Sequence, residues 1–199
     1  MHDKTETSLL TVDGQKKLYY ATISPGEVTR NAPHMTVFRK VEGSEDKTTG
    51  LVFYVKSERT IEIQFSGGEG ERVPVHEDSD KKQSVMIGGK ELFWRRKERE
   101  GDGKLLEKVN GKPVNIELSN GDGKVLAVFV IGKKSPNSKS NSVGVLEWHE
   151  EIESQSIADQ VIVSFLALAE QFRSVNTDKW KLRGAFVGEV AASFITFLF

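Results

Sequence analysis

The chain has 199 residues, with 28 Lys plus Arg against 29 Asp plus Glu and no cysteine. That length can bury one sizeable core, and the charge balance provides no global field toward nucleic acid or acidic membranes. The missing thiols exclude disulfides, thiolate metal sites and cysteine catalysis, which fits a reducing compartment, the cytoplasm, while the balanced charge leads to the expectation of no nucleic-acid partner.

Residues 1–15 are polar, contain Asp3, Glu6 and Asp13, and lack the basic start and apolar run of a signal peptide. They are expected to form a flexible N-terminal arm or an edge strand. Leu18 to Ile23 reads as a strand, ended by the turn Ser24-Pro25-Gly26. Met35 to Val41 alternates apolar and polar, and Leu51 to Val55 is a continuous apolar run, the pattern of a strand buried on both faces. Thr60 to Phe65 alternates cleanly, with Ile61, Ile63 and Phe65 on one face. Residues 66–83 read as a loop. Ser84 to Ile87 restarts β structure, Gly88-Gly89 turns it, and Glu91 to Glu98 is the next strand.

Two Gly-Asp-Gly-Lys segments follow, at 101–104 and 121–124. They lack the spaced acidic ligands of a calcium loop, so tight turns with glycine at positive φ are expected, and no metal. Between them Lys104 to Val109, Asn110-Gly111 and Pro113 to Leu118 read as strand, turn, strand. Val125 to Ile131 is a buried strand, 132–142 a solvated loop and Val143 to Trp148 a last strand. Short strands at regular spacing, with no alternating strand–helix rhythm, predict an antiparallel barrel or sandwich.

A helix is predicted at 156–173, capped by Ser154 or Ser156, with Asp159 in its first turn and Arg173 in its last. Ile157, Val161, Phe165, Leu168 and Phe172 form one apolar stripe, Ile162, Leu166 and Ala169 a second, and only Gln160, Ser164 and Gln171 a thin polar line. Such a helix needs burial nearly all round. It is short for a bilayer span and carries Asp159 and Glu170. The tail at 184–199 is apolar; as a helix it would align Phe186, Val190, Phe194 and Phe197 for docking, self-association or membrane contact.

Gly88-Gly89-Lys90-Glu91-Leu92-Phe93-Trp94-Arg95 resembles the Gly-Arg-Glu-Tyr-x-Trp-Lys strand of a fungal domain family in the tubby C-terminal-like superfamily, which includes the LURP-one proteins and the phospholipid scramblases. Val145-Leu146-Glu147, then Ile157 to Phe165, and Glu170-Gln171-Phe172-Arg173 are similar to that family's ending. The resemblance spans roughly 16–175 in element order. It implies a mainly β fold: a closed antiparallel barrel of about twelve strands around a central hydrophobic helix. The expected organisation is an arm at 1–15, a barrel domain at 16–175, and a linker with an apolar C-terminal element, an extra helix, at 176–199. The charged loop at 71–83, the insertion at 132–142 and the apolar tail depart from the family.

The densest basic cluster is Arg95-Arg96-Lys97 with Lys90 and Arg99. On a strand Arg95, Lys97 and Arg99 share a face that can hold a phosphate. Tubby proteins use basic strand residues for phosphoinositides, so the resemblance implies Lys90, Arg95, Lys97 and Arg99 as lipid- or phosphate-binding residues. The competing reading is a solvated face on which Glu98 and Glu100 balance the cations. Lys133-Lys134 with Lys139 reads as a hairpin tip, and His149 beside Glu150 and Glu151 as an exposed strand end. No Gly-x-Ser-x-Gly, phosphate loop or His-Glu-x-x-His occurs. The expectation is a non-enzymatic, cofactor-free module for anionic phospholipid or phosphoinositide, peripheral to membranes. The alternatives are a self-assembly module, a homo-oligomer through Phe186, Val190, Phe194 and Phe197, or an enzyme or small-molecule binder with a pocket at a barrel mouth.

Overall fold

A computed structural model describes residues 5–11, 17–24, 32–55, 60–66, 71–77, 82–98, 114–131, 142–181 and 194–198. The strands are β1 (Thr5–Thr11), β2 (Lys17–Ile23), β3 (Met35–Arg39), β4 (Lys47–Val55), β5 (Thr60–Phe65), β6 (Val73–Glu77), β7 (Lys82–Ile87), β8 (Lys90–Glu98), β9 (Val114–Ser119), β10 (Val125–Ile131) and β11 (Ser142–Trp148). Helix α1 (Gln155–Lys181) and strand β12 (Phe194–Leu198) follow. The fold is mainly β with one helix. Strands β2 to β11 form one antiparallel sheet of ten strands in chain order, as expected where successive strands are joined by short connections.

The sheet curls around α1. Val161 to Leu168 are eight successive buried residues, more than two full turns, so no side of that stretch faces water. Each strand from β2 to β11 sends at least one side chain into the same core, among them Ala21, Val37, Ile63, Trp94, Leu118 and Leu146. Phe165 lies 4.7 Å from the Phe129 ring and 5.7 Å from Trp94, both in tilted geometry; burying such a ring contributes roughly 2–3 kcal/mol. Gly50 on β4 is where the helix comes closest: a Cβ there would sit 2.7 Å from Val163 Cγ1.

The thin polar line of the helix is met by the sheet. Trp94 Nε1 donates to Ser164 Oγ at 3.0 Å, and Ser164 Oγ donates to the Val161 carbonyl at 2.8 Å. The Gly88 amide donates to Gln160 Oε1 at 2.9 Å. Gly88 and Gly89, at φ of 57° and 74°, make the two-residue β7–β8 turn that places this amide against the helix. Ser154 is the cap, its Oγ accepting from the Ile157 amide at 3.3 Å.

Several expectations are corrected. The helix runs to Lys181, not Arg173, because no Gly or Pro interrupts the chain before Gly184. Asp159 is its fifth residue, beyond the first turn, and is held by the sheet, not by the helix dipole. Of the two readings of residues 1–15, flexible arm or edge strand, Thr5–Thr11 takes the strand, paired antiparallel with β2. The stretch read as a loop at 66–83 contains β6, whose Val73 and Val75 pair with Ile63 and Ile61. The expected C-terminal helix is instead β12, rich in the Phe, Ile and Thr that favour extended backbone. A stripe built on the 3.6-residue helical period does not carry over to a strand of period two. Phe194 and Phe197 therefore belong to β12, while Phe186 and Val190 lie outside the described residues, as do 101–113 and 132–141.

Strand β12 runs parallel to both β1 and β11, against the expectation of antiparallel pairing throughout. The helix between β11 and β12 carries the chain back along the sheet, roughly 40 Å for its 27 residues. The strand after such a crossover points the same way as the strand before it.

Candidate functional site

Of the predicted basic residues, Arg95 lies in a concave surface. The outward face of β8 carries Glu91, Phe93 and Arg95, while Leu92 and Trp94 point into the core. Register then adds neighbours that are distant in sequence. Lys82, Arg95 and Glu117 form one row across β7, β8 and β9; Ser84, Phe93 and Ser119 form the next. The β9–β10 turn closes the far side. There Gly123 takes φ 81°, its amide donates to the Asn120 carbonyl at 3.0 Å, and the Lys124 amide donates to Asn120 Oδ1 at 2.8 Å. The Gly-Asp-Gly-Lys segment at 121–124 is thus a tight turn. Together these elements line a groove of about 220 Å³.

The electrostatics of the groove are unusual for a sheet surface. Lys82 and Arg95 are directly opposed cross-strand partners, an arrangement that costs stability when both carry the same charge. Lys82 Nζ lies 5.8 Å from the centroid of the Phe93 ring, a weak cation–π contact. Among the described residues neither Lys82 nor Arg95 is held in an ion pair. Glu117, next in the row, leaves the groove with one net positive charge from these three residues.

The other predicted residues are placed elsewhere. Lys90 sits at the β7–β8 turn, roughly 16 Å along the strand from Arg95, and pairs with Glu153 at 2.8 Å. Both side chains are about two-thirds exposed, so this pair adds little stability. Lys97 is in β8 opposite Asn115, and Arg99 lies outside the described residues. Sequence reasoning missed Lys82, Phe93 and Glu117 as partners of Arg95. Phe93 follows from the two-residue period of β8, but no local signal marks Lys82 or Glu117, which only strand register brings to Arg95. His149 is exposed at the end of β11, and among the described residues no three His, Asp or Glu side chains converge to hold a metal.

A second polar constellation sits at the end of the sheet where α1 enters. Tyr19 Oη donates to Asp159 Oδ1 at 2.7 Å, Gln155 Nε2 donates to Asp159 Oδ1 at 3.0 Å and to Tyr19 Oη at 2.8 Å, and Arg39 Nε lies 3.5 Å from the same carboxylate oxygen. Tyr19 is 5 % exposed and Asp159 8 %. Burial first, then the hydrogen bond to Asp159, push the Tyr19 phenol far above its ordinary value of 10.0. The folded chain thus keeps this proton after the unfolded chain has released it. Its contribution to stability is intact below about pH 10 and declines above it. Relative to Tyr19→Phe, the wild type should lose about 2 kcal/mol between pH 9 and about 11.5 in urea titrations. Parallel pH profiles for the two proteins would refute this.

Set against known protein families, curated proteins and solved structures, the chain finds no match. Among the described residues no helix is long and apolar enough to cross a membrane.

Proposed function

We propose that this chain is a tubby-like barrel of twelve strands that serves as a non-enzymatic binding module for anionic phospholipid, phosphoinositides included, at a membrane surface. Closure of the sheet is supported by β12, which pairs with β1 on one side and β11 on the other. The lipid reading is carried by one observation, the directly opposed Lys82 and Arg95 at the rim of the groove. Two like charges in register on an exposed sheet face are a local cost, and an anionic group seated between them removes it through charge-assisted hydrogen bonds. Flotation with phosphatidylcholine vesicles containing phosphatidylglycerol tests the reading. A basic residue near such a surface contributes about 1 kcal/mol, so the Lys82→Glu/Arg95→Glu double variant should bind at least tenfold more weakly, and wild-type binding should fall with salt. Absence of wild-type binding, or binding indifferent to both changes, would overturn the proposal.

A further inference from the structure

We infer that Asn120-Gly121, on the rim of the groove, is a site of spontaneous deamidation that adds a carboxylate to the surface shared with Lys82 and Arg95 as the protein ages. Glycine lacks the Cβ that shields a backbone nitrogen, so a side-chain amide one residue before it is open to attack by that nitrogen. The β9–β10 turn supplies further conditions. Gly121 to Lys124 are exposed, which gives solvent base access. Among the described residues the Gly121 amide takes part in no hydrogen bond that would hold its proton. The Lys124 amide donates to Asn120 Oδ1 at 2.8 Å, drawing charge from Cγ and stabilising the oxyanion that forms when Cγ is attacked. The contact from Asn120 Nδ2 to Asp122 Oδ2 is long, 3.4 Å, and restrains the leaving nitrogen weakly. Hydroxide takes the Gly121 amide proton, the nitrogen bonds to Cγ, the Cγ–Nδ2 bond breaks, and Nδ2 leaves as ammonia with a proton from water. Water then opens the five-membered succinimide. Hydrolysis at Cγ gives aspartate, and hydrolysis at the Asn120 main-chain carbonyl gives isoaspartate. The net change is one amide and one water to one carboxylate and one ammonium.

Asn120, Gly121 and Gly123 line the groove together with Lys82 and Arg95, so either product weakens its attraction for an anion; this consequence rests on the reading of the groove as an anion site. Peptide mapping by mass spectrometry of the full chain, held in mildly alkaline buffer, tests the chemistry. Fragment ions separate Asn120 from the other Asn-Gly pair, Asn110-Gly111. Native protein should convert at Asn120 within about threefold of the rate of the same chain unfolded in guanidinium chloride, and faster as pH rises. Gly121→Ala should slow conversion about tenfold or more. A Cβ at Gly121 meets nothing within 4 Å, so this variant keeps the fold. Conversion more than about tenfold slower in the native than in the unfolded chain would overturn the site, because the turn would then hold the reacting atoms apart. A rate unchanged in Gly121→Ala would overturn it too. Flotation then tests the consequence. Asn120→Asp should bind phosphatidylglycerol-containing vesicles about two- to threefold more weakly than wild type, and the neutral Asn120→Ser should bind as wild type does. Equal binding by Asn120→Asp would overturn the effect on the groove. Absence of wild-type binding would overturn the anion-site reading and that effect with it, whereas the mass measurement needs no ligand and decides the modification by itself.

Discussion

Asp159→Ala is expected to lower the unfolding free energy by about 3 kcal/mol, one of the two largest effects of a single replacement predicted for this chain. Asp159 is the shared acceptor of Tyr19 and Gln155 and the ion-pair partner of Arg39. Removing it leaves a buried hydroxyl without its acceptor and a guanidinium, whose side chain is 22 % exposed, without its counter-charge. The partial exposure of Arg39 keeps the expected loss below that of a fully enclosed pair. Asp159→Asn separates the contributions: it retains an acceptor for Tyr19 and loses the charge, so its loss should be smaller, about 1–2 kcal/mol. Urea unfolding followed by tryptophan fluorescence measures both. A cost below about 0.5 kcal/mol for the alanine variant, the range of ordinary surface changes, would show that this network does not anchor the helix.

The second large effect is expected at Gly50. An added methyl meets Val163 Cγ1 at 2.7 Å and Cγ2 at 2.9 Å, and the β5 backbone carbonyl of Gln64 at 3.3 Å. Relief by rotating Val163 is restricted, because a β-branched side chain in a helix has one strongly preferred rotamer. Helix and sheet must therefore separate, and Gly50→Ala should cost about 2 kcal/mol, a fall in melting midpoint of roughly 4–8 °C for a chain of this size. Val163→Ala alone leaves a small cavity, at a cost of about 1–2 kcal/mol. The double variant should lose less than the sum of the two, since the new methyl occupies the space Val163 vacates; the coupling should be about 1 kcal/mol. Strict additivity would mean that the helix does not bear on β4 at Gly50.

The groove and the helix-entry network share a property: their members come from distant parts of the chain. Tyr19 and Asp159 are 140 residues apart, and Arg95 meets Lys82 and Glu117 through register alone. The basic strand Lys90–Glu98 was legible because it is local. Whether Arg95 faced a carboxylate, a cation or a ligand depended on which residue of β7 and which of β9 stood opposite. Shifting either register by one residue would exchange the face presented. The position of Lys82 was further obscured by the charged run before it, Glu77 to Lys81, which reads locally as solvated loop.

Local periodicity by itself determined a good deal of this protein. The alternation of Thr60 to Phe65, the paired glycines at 88–89, the turn at 121–124 and a helix apolar on nearly every side all declare themselves within one element. Each depends on a backbone period or a φ angle that the residues themselves impose. Tertiary structure decided that Phe194 to Leu198 is a strand parallel to its neighbours, that Gln160 and Ser164 meet partners on the sheet, and which side chains share the groove. Those outcomes depend on hydrogen bonds and packing between residues far apart in the chain. A sequence pattern shows that a side chain needs a partner, but the pairing of strands selects which one it meets.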